Sequence, residues 1–293
     1  MRDSVRRLSA AQGLLLAVGL ADAVLLMACH WTIAMRGLAV LAIGGATLLL
    51  VHQVYSRWRP EPRLAALAGT ALHFALATAL LGTLSYLLTS LSAQRPLADP
   101  ALAALDQALG LDWQAYHRYA NATPALHALT QCGYALVGME LLGLILTLDL
   151  IGRQDRAREL RLGFCVTALA AILIAALWPA AGAYVHYATA EQQTEPYVLQ
   201  YLATRSAAPH TLDLLQMQGI VQFPSFHAAL ALICSFVARG TRLYGPLLPV
   251  NGWIVLSTPP AGGHHFADVA AGLLLAAVVA FALHRAAALR AAT

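Results

Sequence analysis

An all-α fold, a polytopic membrane helix bundle, is what this sequence predicts, and three observations carry it. Of 293 residues, 59% are hydrophobic and 11% charged, with a mean hydropathy of +0.65. A soluble domain carries about 25% charged residues, so this chain could not solvate its own surface. Eight apolar runs, roughly 11–29, 38–55, 65–90, 125–151, 163–180, 223–239, 243–257 and 266–284, approach the length that crosses a bilayer. Finally, every basic residue is Arg, and the arginines alternate between loops. With a cytoplasmic N-terminus, 14 fall on inside segments (Arg2, Arg6, Arg7, Arg57, Arg59, Arg63, Arg153, Arg156, Arg158, Arg161, Arg239, Arg242, Arg285, Arg290). Only 4 fall outside (Arg36, Arg95, Arg118, Arg205). This is the positive-inside pattern, and it accounts for the net charge of +4 and pI near 9.0 without a nucleic-acid partner.

Taken in order, the first run is interrupted by Asp22, which argues against a lipoprotein signal ending at Leu26-Met27-Ala28-Cys29; an uncleaved helix is expected. The third carries His73 and the seventh Asn251, both expected to hydrogen-bond between helices. Loop 91–124 spaces Leu97, Leu102, Leu105, Leu109 and Trp113 as a short amphipathic helix, lying on the membrane, lidding a site or packed as a connection. The fourth run holds Glu140 mid-span, where charge is costly; it reads as a relay, a support or a neutral interior acid. Loop 181–222 is too long to be structureless, so partial helix or function is expected. The sixth and seventh runs are short, and the seventh contains Pro246 and Pro249. Trp58, Trp113 and Trp178 fit interfacial belts. Cys29, Cys132, Cys165 and Cys234 show neither zinc nor disulfide spacing and read as buried apolar residues.

Two segments carry chemistry. Pro224-Ser225-Phe226-His227 opens the sixth run, and Gly262-Gly263-His264-His265-Phe266-Ala267-Asp268 opens the eighth. Each sets an imidazole beside helix-start N–H groups, which can hold phosphate. His264 and Asp268 share a face if the helix begins at or before His264, so the carboxylate can fix the Nδ1 proton and leave Nε2 nucleophilic. Pro224 suits position N1, and His227 could protonate a leaving alkoxide. Ser225 offers a hydroxyl. Gly262 and Gly263 permit close backbone approach. Arg205 and Arg95 are the outer-side cations that could grip phosphate, with Arg118 weaker. A metal site built from His227, His264, His265 and Asp268 is a rival, but adjacent histidines on a helix diverge by about 100°. No metal and no cofactor are expected.

These segments resemble the second and third motifs of the type-2 phosphatidic acid phosphatase superfamily. Its second motif is usually Pro-Ser-Gly-His; its third is Ser-Arg, five residues, His, three residues, Asp. Here Ser257-Thr258 precedes His264 and Asp268 in the same register. The resemblance implies a phosphohistidine nucleophile at His264, support from Asp268 and a general acid at His227. Phe226 replaces the usual Gly, Thr258 replaces a phosphate-binding Arg, and the Lys-containing first motif is missing, with Arg95-Pro96 only faintly similar. These departures resemble the branch of inositol phosphorylceramide synthases, as does Trp178-Pro179-Ala180-Ala181-Gly182-Ala183-Tyr184. The resemblance implies that residues 1–63 add two helices to a six-helix catalytic domain over 64–293, and that Arg205 replaces a missing cation.

The expected protein acts on a lipid phosphate, diphosphate or phosphodiester at the outer face of a membrane, in a bacterium the inner membrane, with both termini cytoplasmic. Membrane lipids are its surroundings and a lipid phosphate its partner. A headgroup transferase and a non-enzymatic lipid transporter built on Glu140 and Asp22 are the alternatives.

Overall fold

The computed structural model describes residues 9–206 and 210–292; Arg2, Arg6 and Arg7 lie outside them, as does the side chain of Arg290. The eight apolar runs coincide with eight helices: α1 (Ala10–Ala28), α2 (Met35–Gln53), α3 (Pro62–Leu91), α6 (Pro124–Leu150), α7 (Gln154–Leu177), α10 (Phe226–Ala238), α11 (Tyr244–Gly262) and α12 (Phe266–Ala292). The short helices α4 (Asp99–Ala108) and α5 (Trp113–Ala120) join α3 to α6; α8 (Ala183–His186) and α9 (Pro196–Thr204) lie between α7 and α10. Six helices, α1, α2 with its π-helical extension to Trp58, α3, α6, α7 and α12, are long and apolar enough to span a membrane. The starts follow local chemistry. Ser9 and Gln12 form a capping box for α1, and Thr123 caps α6 ahead of Pro124.

The 13-residue α10 is central. Ala228, Ala229, Leu230, Ala231, Ile233, Cys234, Val237 and Ala238 are all buried, and α6, α7, α11 and α12 surround it. Small residues bring these helices close. A Cβ on Gly272 of α12 would collide with the Ser225 carbonyl oxygen at the start of α10. The lipid side is correspondingly apolar: Leu20, Met35, Ile43, Leu142, Leu274 and Phe281 are exposed, a surface that water would not tolerate. The protein is an integral membrane protein.

The two ends of α10 differ. Beyond Ala238, Arg239 bonds Glu159 at 3.1 Å and Arg153 donates to the Gly240 carbonyl at 2.8 Å, so two arginine-bearing loops meet. His227 stands at the opposite end. The interhelical bonds expected of His73 and Asn251 are made: His73 Nε2 lies 3.4 Å from Cys165 Sγ, and Asn251 donates to Glu140 and Ser235 at 2.9 Å. Trp58 and Trp178 are exposed, whereas Trp113 is buried and belongs to no interfacial belt. Cys165 and Cys234 are buried as expected, but Cys132 is exposed on the outside of α6. One element has no signal in the helical pattern: β1 (Thr32–Ile33) pairs in parallel with β2 (Thr211–Leu212), and Arg36 Nε donates to Asp213 at 2.8 Å beside it.

Because the atom facing Gly272 is backbone, Gly272→Ala should destabilise the bundle by about 1–3 kcal/mol, lowering the thermal midpoint in detergent by several degrees. Gly143→Ala, with open space around it, should not; equal midpoints for the two variants would contradict this packing.

Candidate active site

The segment between α11 and α12 turns sharply. Gly263 ends α11 at φ +64°, a left-handed conformation that glycine adopts without strain. His264 and His265 follow, and α12 begins only at Phe266. His264 therefore precedes the helix rather than lying on its face, and the expected i, i+4 geometry on one helix does not apply. The turn achieves the pairing instead: His264 Nδ1 lies 3.5 Å from Asp268 Oδ2. The same carboxylate oxygen accepts the His265 N–H at 2.8 Å. Burial pushes the His264 imidazole down to about 3, against the raising effect of the Gln222 carbonyl, so the ring is neutral at pH 7.

The first turn of α12 is not an open anion cradle. Asp106 of α4 accepts the N–H groups of Phe266 at 2.9 Å and Ala267 at 2.8 Å. One turn pair earlier on the same helix, Asp99 accepts the N–H groups of Ala181 at 2.9 Å and Gly182 at 2.7 Å. His265 lies between the two, with Nε2 3.4 Å from Asp99 and Nδ1 3.7 Å from Asp106. Burial lowers the His265 pKa, but the close approach of the Asp99 carboxylate and the charges of Asp268, Asp99 and Asp106 outweigh this, and the net shift is upward. The two adjacent histidines thus have opposite electrostatics. Asp99 and Asp106 were missed in the sequence, although acidic residues seven apart on a helix share a face and could have drawn notice. Loop 91–124 is a packed cover: Trp113 of α5 is buried, donates Nε1–H to the His264 carbonyl at 2.9 Å and is stacked between His117 and Tyr187.

Across from His264, Ser225 is the N-cap of α10, so Pro224 lies before the cap and not at N1, and His227 is the second helical residue. Ser225 Oγ accepts the Ala228 N–H and lies 3.4 Å from His264 Nε2. Among the described residues, the N–H groups of Phe226 and His227 have no partner. Tyr134 of α6 stacks on His227 at 4.1 Å, with its hydroxyl 3.3 Å from Nδ1. His227 and His264 both line a cavity of about 220 Å³ whose other walls are mainly apolar: Leu81, Gly82, Phe164, Ile172, Met217 and Phe226.

The structure separates the remaining expected residues from this cavity. Arg205 donates to the carbonyls of Ser92, Ala93 and Arg95 at 3.1, 2.7 and 2.8 Å, closing the end of α3. Arg95 reaches the Leu177 carbonyl, and Arg118 is exposed on α5. None of the three lines the cavity. The physical reason is that loop carbonyls at helix ends compete for guanidinium groups. Gly262 and Gly263 make room for protein, not for a ligand: Cβ atoms there would meet Tyr134 at 2.5 Å and Tyr184 at 2.6 Å. Thr258 is buried and donates to Ile254. Among the described residues no three His, Cys, Asp or Glu side chains are arranged to hold a metal ion.

A pair of histidines, one backed by a carboxylate and both opening on a mostly apolar cavity, defines a class of site suited to acid–base or covalent chemistry. The model of the PAP2 superfamily matches residues 100–283, and the chain belongs to that superfamily. Membership brings a phosphatase- or phosphotransferase-type activity toward lipid phosphates. No curated protein and no solved structure matches the chain.

Removing Asp106 would leave one buried and one half-buried N–H group without acceptors, the buried one costing about 1–3 kcal/mol. Asp106→Ala should therefore lower the thermal midpoint strongly and Asp106→Asn, which keeps one acceptor, less; an unchanged midpoint in both would refute the capping role. For His265 the folded pKa lies above the ordinary value of about 6.5, so its stabilisation is complete below that pH and is lost as pH rises through the folded value. The wild-type midpoint should fall over this range, and His265→Gln should lack that component. Parallel pH profiles would show that His265 is not the titrating group.

Proposed function

We propose that the protein is an integral-membrane lipid phosphatase or phosphotransferase that acts on a lipid phosphate, diphosphate or phosphodiester at the outer membrane face through a phosphohistidine at His264. The observation that carries this reading is the shared cavity of His227 and His264, with Asp268 behind the latter. The distribution of arginines supports the outer-face assignment, since His227 begins α10 and the arginine-rich loops follow its end.

In the first half of the reaction the Nε2 lone pair of His264 attacks phosphorus. The N–P bond forms, the bond to the lipid oxygen breaks, and protonated His227 gives its proton to the leaving oxygen. Asp268 holds the proton on Nδ1. In the second half His227 takes a proton from water or an alcohol, whose oxygen attacks phosphorus while the N–P bond breaks. The free N–H groups of Phe226 and His227, the Ser225 hydroxyl and the Tyr134 hydroxyl are the donors proposed for the equatorial oxygens. These take the place first expected of Arg205, Arg95 and Gly263.

A second reading, headgroup transfer of the inositol phosphorylceramide synthase type, is favoured by the lack of arginine in the cavity lining among the described residues. A phosphodiester carries one negative charge where a phosphomonoester carries nearly two, so neutral donors suit the diester better. Non-enzymatic transport has less support: Glu140 is tied to Asn251, and neither Glu140 nor Asp22 lines the cavity.

Purified protein with chelator should release phosphate, or exchange headgroups, from a member of a lipid panel. His264→Ala should lose about 10³-fold or more, and His227→Ala about 10²- to 10⁴-fold. Full activity in His264→Ala would refute the mechanism.

A further inference from the structure

We infer that a groove formed by α2, α3 and α6 binds the hydrocarbon chain of the lipid substrate and feeds it to the histidine cavity past Met217. This deepens the proposed function and rests on it. The groove has a volume of about 460 Å³ and is walled by Val40 and Leu41 of α2, Phe74 and Ala75 of α3, and Leu141 and Ile145 of α6, among other apolar residues. No charged side chain lines it among the described residues. Its occupant is indicated by continuity: Thr78 and Met217 line both the groove and the cavity of His227 and His264.

The direction of the groove also fits. On α3 the cavity is lined by Thr78, Leu81, Gly82 and Ser85, and the groove by Ala71, Phe74, Ala75, Thr78 and Ala79. On α6 the corresponding residues are Tyr134 for the cavity and Gly138, Leu141, Leu142 and Ile145 for the groove. Along both helices the groove therefore continues away from the histidines toward the arginine-bearing end, as the tail of a lipid does when its headgroup sits at the outer face. Met217 is the partition. A Cβ on Gly82 would meet its Cε at 2.9 Å, so the thioether lies directly over that glycine. An unbranched, flexible side chain is suited to such a movable wall. The segment that carries Met217 is anchored by α2 and its preceding strand, through Thr32 and Thr211, Arg36 and Asp213, and the approach of Leu214 to Gly37. α2, which lies outside the family match, thus supplies a wall of the groove and, with the strand before it, the anchor of its partition.

Gly138 offers a clean test, because a Cβ there meets nothing within 4 Å and its helical backbone accepts any side chain. Gly138→Phe should fill the groove and lower the ratio of kcat/KM for a sixteen-carbon over a six-carbon lipid phosphate at least tenfold. Gly143→Phe, on the same helix but outside the groove, should leave that ratio alone. A second measurement does not depend on turnover. A sixteen-carbon lipid phosphate with a diazirine at the chain end should crosslink His264→Ala protein within residues 138–145 or 37–41, and Gly138→Phe should suppress that labelling. Labelling elsewhere, or unchanged labelling in Gly138→Phe, would overturn the groove assignment. Specific labelling without turnover in wild-type protein would retain the groove and reject the catalytic reading instead.

Discussion

The N-terminus of α12 presents two N–H groups that no carbonyl of its own helix can reach, and Asp106 of α4 accepts both. That contact spans 160 residues of sequence and fixes where α12 begins. Once Phe266 is the first helical residue, His264 lies in the turn before it, Asp268 falls behind its ring, and His265 is directed to Asp99 and Asp106. Trp113, from the helix following α4, then covers the turn from above. The His264 imidazole is thus positioned by a clamp built of carboxylates that do not themselves line the cavity.

This arrangement has an electrostatic consequence. The carboxyl groups of Asp99, Asp106 and Asp268 lie behind the histidines, while the cavity wall is mainly apolar and free of arginine among the described residues. A dianionic headgroup entering there would meet only dipoles, and desolvating charge without a counter-charge is costly. A monoanionic diester lowers that cost. Low dielectric strengthens each hydroxyl and N–H donor that the α10 start contributes.

Helix positions were legible because apolar length is a local property: all eight runs became helices, even the 13-residue α10. The two histidine segments were legible because residue type and spacing carry them. What could not be read were partners. Arg205 stands in the right loop, yet three carbonyls at the end of α3 claim its guanidinium. Gly262 and Gly263 imply close approach, but the sequence does not say that tyrosines are what approaches. Asp99 and Asp106 lie in a stretch whose amphipathic leucines drew attention away from its polar face. In each case the deciding contact is long-range, and no periodicity encodes it.

Mapping the covalent intermediate tests the central chemical claim most directly. Protein quenched in alkali during turnover of a lipid phosphate or diester, then digested and sequenced by mass spectrometry, should carry an acid-labile phosphoryl group on His264. A phosphoryl group on Ser225 or His227, or turnover with no phosphorylated residue, would contradict it.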